Sequence, residues 1–274
     1  MKVALTGATG FIGRHVLVEL ISQNIDVVAV TRDSSKLSHL IEKIEVLEVD
    51  LNHDGDLYDL MGSPDILVHL AWDGLPNYKS LHHFETELPR QYIFLKKMLE
   101  SGLTSLFVTG TCFEYGMQSG ALEAQIKTEP CNPYGFAKDV LRKQLEFLKD
   151  RSNFNLTWGR LFYTYGEGQS ENSLYSQLKK AVSRGDEVFN MSGGEQLRDY
   201  MPVEAVAKNI VNIALRQRDL GVINICSGSP ISVRNLVERW VQENRWDIKL
   251  NLGYFPYPDY EPMRFWGSLS GKFD

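Results

Sequence analysis

The sequence predicts an α/β fold: a doubly wound parallel sheet with a smaller C-terminal α/β lobe. Three observations carry this. Compact apolar runs of strand length alternate with helically spaced apolar residues as far as Arg160, which implies right-handed crossovers and a sheet covered on both faces. Gly7, Gly10 and Gly13 fall between the first apolar run and the first helical pattern, where doubly wound sheets turn tightly around a ligand. Past Arg160 the alternation loosens into glycine-rich loops around isolated helices.

Taken in order, Val3 to Leu5 read as the first strand, and Ile12, Val16, Leu20 and Ile21 repeat with helical spacing. Val27 to Val30, Ile44 to Val49, Ile66 to Leu70 and Leu106 to Thr109 read as buried strands two to five. Further helices are expected at Leu174 to Val182, Val203 to Leu215 and Val233 to Glu243, with a strand at Val222 to Ile225. The aromatic, proline-rich tail from Tyr254 to Trp266 has no periodicity and is expected to fold over something rather than join a core. These readings place the sheet domain at residues 1–163 and 201–226, and the lobe at 164–200 and 227–274.

A chain of 274 residues, 43% hydrophobic and 23% charged, has the composition of an ordinary globular enzyme. A net charge of −6 provides no basic stripe for phosphate backbones, which argues against nucleic acid as a partner. Cys112, Cys131 and Cys226 are odd in number and form no CxxC pair, arguing against disulfide frameworks and zinc ribbons and for a reducing cytoplasm. The start, Met1 to Leu5, breaks at once into glycines, unlike a signal peptide or membrane span. No membrane contact and no metal are expected.

Gly7-Ala8-Thr9-Gly10-Phe11-Ile12-Gly13 would bring bare backbone and the N–H groups of a helix start against a pyrophosphate. Gly7, Thr9, Gly10, Phe11, Ile12 and Gly13 are therefore candidate cofactor contacts. The spacing is GxxGxxG, and here the chain resembles the extended short-chain dehydrogenase/reductase family over nearly its whole length. The resemblance implies a Rossmann domain, with Asp50 and Leu51 beside the adenine, Leu70 and Ala71 beside a cofactor ribose, and Thr109 in the cofactor site. Asp50 also reads as a turn residue. Where an acidic residue would meet the ribose hydroxyls of NAD, this chain has Thr31-Arg32 followed by Ser34, Ser35 and Lys36. A guanidinium there can bind a 2′-phosphate, which favours NADP(H) over NAD(H) unless Arg32 is merely a solvated surface group.

Tyr134 and Lys138 stand four residues apart behind Pro133, so a helix places both on one face. A phenol of pKa about 10 exchanges protons poorly at neutral pH, and a neighbouring ammonium would lower that value. The segment Val108 to Gly116 is similar to the family's Ser-rich strand end, which puts Thr111 at the catalytic Ser/Thr. The resemblance thus implies a triad of Thr111, Tyr134 and Lys138, with hydride moving between a nicotinamide and C4 of a nucleotide-activated sugar, and Lys138 also holding the nicotinamide ribose.

The family's 4,6-dehydratases follow the Thr with Asp-Glu; here Cys112 and Phe113 stand there, neither capable of carboxylate chemistry, and strand alternation should turn Glu114 away. Phe113 also occupies the Cys place of the fucose-synthase type, and all six histidines precede residue 84. Substrate contacts implied by position are Trp72, Tyr78, Cys112, Phe113, Tyr163 (where the family carries Asn), Arg198 on the diphosphate, and Arg264 near phosphate. Competing readings are loop packing for Trp72 and Tyr78, an Arg198–Asp199 structural bridge, and a structural wrap for the tail. His82-His83 reads as surface loop, since adjacent histidines share no helical face and no acidic cluster accompanies them.

Three functions remain open on these residues. The first is an NADP-dependent reductase of a nucleotide 4-keto-6-deoxy sugar. The second is an NAD-dependent nucleotide-sugar 4-epimerase, and the third a non-catalytic dinucleotide sensor. Helices near Phe84 to Leu99 and Asn132 to Leu148 are those that pair across a twofold axis in the family, so a homodimer is expected.

Overall fold

The computed structural model describes residues 1–257, 259 and 261–269. In chain order its first half comprises β1 (Lys2–Thr6), α1 (Phe11–Ser22), β2 (Asp26–Thr31), β3 (Glu45–Glu48), α2 (Leu57–Leu60), β4 (Ile66–His69), α3 (Leu88–Glu100) and β5 (Ser105–Thr111). These are followed by β6 (Gly120–Leu122), α4 (Pro133–Lys149) and β7 (Asn155–Leu161). The second half carries β8 (Tyr163–Tyr165), α5 (Leu174–Arg184), β9 (Val188–Asn190), β10 (Leu197–Arg198), β11 (Tyr200–Pro202), α6 (Val203–Ala214), β12 (Gly221–Ile225), β13 (Ile231–Ser232), α7 (Val233–Glu243), β14 (Lys249–Asn251) and β15 (Arg264–Gly267).

Seven strands pair in the order β3-β2-β1-β4-β5-β7-β12, every neighbour parallel. The order reverses between β1 and β4, and the crevice above their carboxyl ends is where such a sheet receives ligands. Both faces are covered, so strand residues alternate between two apolar layers. Val3 and Leu5 pack with Val16, Leu20 and Ile210 on one side. Ala4 packs with Phe94, Met98, Leu141 and Trp158 on the other.

Beyond the sheet, Leu178, Leu236 and Trp240 anchor a separate apolar cluster under α5 and α7. The tail departs from its sequence reading. Residues 264–267 form β15, hydrogen-bonded between β10 and β6, and Phe265 is buried with Cys112, Tyr115 and Phe162. The run Arg264-Phe265-Trp266-Gly267 holds only two apolar residues between an arginine and a glycine, and its partners lie far away in sequence. Pro258 and Tyr260 of that tail, and Ser270–Asp274 of the expected lobe, lie outside the described residues.

Candidate functional site

The glycine turn after β1 is built by close approach. Gly7 has φ +73°, and a Cβ there would stand 2.8 Å from the Ala71 nitrogen; a Cβ on Gly13 would stand 2.0 Å from the Gly7 carbonyl oxygen. Helix α1 begins at Gly10 without a side-chain cap and with no acidic residue in its first turn. Its first N–H groups are thus left for an anion, which fits the pyrophosphate of a dinucleotide.

Gly7, Thr9, Gly10, Arg32, Leu51, Leu70 and Ala71 line one groove beside this turn. Phe11, Ile12, Gly13, Trp72, Tyr78 and Thr109 line an adjoining cleft of about 620 Å³. Asp50 makes the contacts of a turn residue. Its carboxylate accepts the Asn52 N–H at 2.8 Å and both contacts of Arg90 at 2.8 and 3.0 Å. Arg32 reaches across the groove mouth to Asp73, Nη1 to Oδ2 3.4 Å. Hydrogen bonding from the Gly74 N–H, and then Arg32, hold the Asp73 carboxyl below its usual range.

Asn132 caps α4 through the Gly135 N–H at 2.8 Å, with Pro133 in the first turn, and the helix buries Tyr134 and Lys138 on one face. Lys138 Nζ donates to the Thr109 carbonyl at 2.9 Å and lies 4.1 Å from the centroid of the Trp72 ring. Thr111 ends β5 and accepts the Phe113 N–H at 3.3 Å. Burial dominates both titrations. It pushes Tyr134 well above its ordinary value, with the Thr111 side chain opposing. It pulls Lys138 down to about 7, with the charges of Glu114 and Glu87 opposing. The expected lowering of the phenol by its ammonium does not set the phenol here; its removal from water does. A neutral phenol is the acid form that reduction of a ketone consumes.

Residues 112–115 form a 3₁₀ turn rather than more strand, with Thr111 and Glu114 in a capping box. Glu114 does face away from Cys112 and Phe113, but the turn directs it there. It is fully buried, accepting the Thr111 N–H at 2.8 Å, Trp158 Nε1 at 2.9 Å and Arg160 Nε at 2.6 Å. Burial raises the Cys112 thiol, leaving it neutral in an apolar cluster with Tyr115, Phe162 and Phe265. Phe113 and Tyr78 rings meet at 4.8 Å, and Tyr78 and Tyr134 at 5.6 Å.

Arg198 is only 2% exposed, and its partner is Glu261 at 3.0 Å. The alternative Arg198–Asp199 bridge is not formed, because Asp199 accepts the backbone N–H groups of Ser227 and Gly228, each at 2.8 Å. Arg198 also stacks over the half-buried Tyr163 ring at 5.6 Å. Register pairs Leu197 with Arg264 and Arg198 with Phe265, so the two arginines face opposite sides of their sheet and Arg264 is exposed. They do not converge on one phosphate.

His83 corrects the surface-loop reading. It is fully buried, receives the Trp72 indole N–H on Nδ1 at 3.1 Å, and lies 5.2 Å from the Tyr134 ring. Asp73 and Glu87 also gather around His82, their ligand atoms within 4.8 Å of one another, so an acidic cluster does accompany the histidines. Arg32 and Arg90 already neutralise those carboxylates, and no metal is assigned. Gln169, Ser170, Asn172 and Ser173, from the loop before α5, complete the wall of the larger cleft. Their sequence signal, a polar loop, does not distinguish them from any surface turn.

Residues 3–226 match the model of the NAD dependent epimerase/dehydratase family. The chain is 31% identical over 272 residues to dTDP-6-deoxy-L-talose 4-dehydrogenase (NAD(+)) of Aggregatibacter actinomycetemcomitans, covering 98% of this chain and 100% of that one. Among solved structures, MoeE5 in complex with UDP-glucose and NAD superposes with a TM-score of 0.81 at 26% identity, over 99% of this chain and 90% of that one. UDP-N-acetylglucosamine 4-epimerase from Methanobrevibacter ruminantium shares the fold, with a TM-score of 0.86 at 22% identity over 98% of this chain and 89% of that one.

Proposed function

The chain belongs to the NAD dependent epimerase/dehydratase family, and we propose that it exchanges a hydride at C4 of a nucleotide-activated 6-deoxy sugar, reducing a 4-keto group or oxidising the 4-hydroxyl. The carrying observation is the buried Thr111, Tyr134 and Lys138 group with Cys112 and Phe113, not carboxylates, beside it. A bound nicotinamide supplies or accepts the hydride. Thr111 Oγ1 and the Tyr134 hydroxyl hold the C4 oxygen, and Tyr134 gives it the proton in reduction. Lys138, held at about 7 by burial, returns the proton and orients the cofactor ribose. The aromatic wall of Tyr78 and Phe113 suits a methyl-bearing sugar carbon, and the talose dehydrogenase relative supports a C4 reaction on a 6-deoxy sugar.

On the cofactor, Asp73 and Glu87 place two carboxylates in the groove that Arg32 lines, and Arg32 spends a nitrogen on Asp73. A carboxylate there opposes a 2′-phosphate, so NAD(H) is the favoured reading; NADP(H) is the second, resting on Arg32. Exposed Ile93, Phe136 and Phe147 on the outer faces of α3 and α4 support pairing of those helices in a homodimer. The buried thiols of Cys112 and Cys226 suit a reducing, cytoplasmic setting. Residues 164–200 and 227–274 are the proposed nucleotide-sugar lobe.

The test is turnover of nucleotide 4-keto-6-deoxy sugars with NADH and NADPH. Tyr134→Phe should lower kcat by about 10²- to 10⁴-fold while cofactor still binds, and Arg32→Ala should weaken NADPH far more than NADH. Protein that carries tightly held NAD and interconverts C4 epimers without added cofactor would overturn the net-oxidoreductase reading in favour of a 4-epimerase.

A further inference from the structure

Trp72 stands where the dinucleotide groove meets the larger cleft and lines both. Its indole N–H donates to His83 Nδ1 at 3.1 Å, while His83 Nε2 lies 2.8 Å from the Asn77 carbonyl oxygen. An indole only donates and a carbonyl only accepts, so these two partners select one neutral tautomer of His83, with the lone pair on Nδ1 and the proton on Nε2. His83 is fully buried, and Gly74 lets the ring sit close beneath the loop, since a Cβ there would meet His83 Cε1 at 3.2 Å.

The held indole then faces both groups of the reaction. Its ring covers Lys138 Nζ at 4.1 Å and meets the Tyr134 ring at 6.0 Å, close to edge-on. Rotation of an indole about its last torsion is broad and soft. The backbone of Trp72 therefore does not by itself choose which way the ring faces.

We propose that His83 is a positioning residue: through its bond to Trp72 Nε1 it sets the indole face against the Lys138 ammonium and the indole edge against the Tyr134 phenol. The cation–π contact stabilises a charge that burial disfavours, and the contact with the Tyr134 ring holds the proton donor in place. The proposal rests on the roles of Tyr134 and Lys138 given above. It concerns the chemical step, because His83 lines neither the groove nor the cleft.

Two substitutions separate the two bonds of His83. In His83→Asn the amide oxygen takes the place of Nδ1 and keeps the Trp72 bond; the exposed Asn77 can give its carbonyl to water. In His83→Gln the amide nitrogen takes the place of Nε2, keeping the Asn77 bond and dropping Trp72. His83→Asn is expected to retain kcat within about threefold, while His83→Gln loses about tenfold or more. KM for the nucleotide sugar should move less than about threefold in both. A role in loop stability alone predicts the opposite order, since only Gln keeps the loop carbonyl. The proposal is overturned if His83→Gln keeps wild-type kcat, or if Asn falls as far as Gln while both melt as folded proteins. Tyr134→Phe is measured alongside: an active Tyr134→Phe sinks the reading of the site, whereas an inactive one with a flat His83 series sinks the positioning role alone.

Discussion

Replacing Glu114 with Gln probes a fully buried carboxylate. One carboxylate oxygen accepts the Thr111 N–H at 2.8 Å and Trp158 Nε1 at 2.9 Å; the other accepts Arg160 Nε at 2.6 Å. The two side chains of the ion pair are 0% and 2% exposed. An amide has one accepting oxygen, so either flip points an NH₂ at a donor. The better flip keeps Thr111 and Trp158 satisfied and leaves Arg160 with the Ala124 carbonyl at 3.0 Å and the Tyr115 ring at 4.6 Å. An uncompensated buried guanidinium costs about 3–5 kcal/mol. At roughly 2–4 °C per kcal/mol for a chain of this size, the melting temperature should fall by about 10 °C. Circular dichroism melts and urea titrations at pH 7 measure this. The double variant Glu114→Met with Arg160→Met should melt above Glu114→Gln, since it leaves no buried charge. A Glu114→Gln melt within about 2 °C of wild type would refute the argument, because no relaxed geometry could then hide so large a loss.

Other perturbations follow from the same structure. Gly13→Ala places a Cβ 2.0 Å from the Gly7 carbonyl, and calorimetry should show dinucleotide affinity falling by about tenfold or more as the turn is forced apart. His69, buried and held at about 3, stays neutral in the fold where the unfolded chain protonates from about 6.5. The unfolded state then binds more protons between those values, so stability falls as pH drops from 6.5 towards 3; urea midpoints of His69→Gln should show a shallower acid slope. Lys138 works in the alkaline window. With a folded value of about 7 against an ordinary 10.5, it makes stability rise with pH between them, and Lys138→Met should flatten that rise in urea midpoints measured from pH 7 to 10.

Six of the seven sheet strands were readable as local apolar runs, whereas β7 (Asn155–Leu161), an interior strand that mixes Thr, Gly and Arg with its apolar residues, was not among those the sequence predicts. Strand β3 and helix α7 lie within a residue or two of where the sequence puts them. Strand β15 was not readable, since a short strand is defined by its partners β10 and β6 rather than by its own pattern. At the site, the glycine loop and the Tyr134–Lys138 spacing are local geometry and so were visible in one dimension. The Glu261 partner of Arg198, 63 positions away, was not.

The sequence by itself determined the fold class, the glycine turn after β1 and the helical face that presents Tyr134 and Lys138, because each depends on backbone conformation or on spacing within a few residues. Only the tertiary structure decided the protonation balance of that pair, the burial of His83 against Trp72 and the closing of Arg198 by Glu261. Desolvation and side-chain pairing depend on which distant segments exclude water from a group, and no local pattern records that.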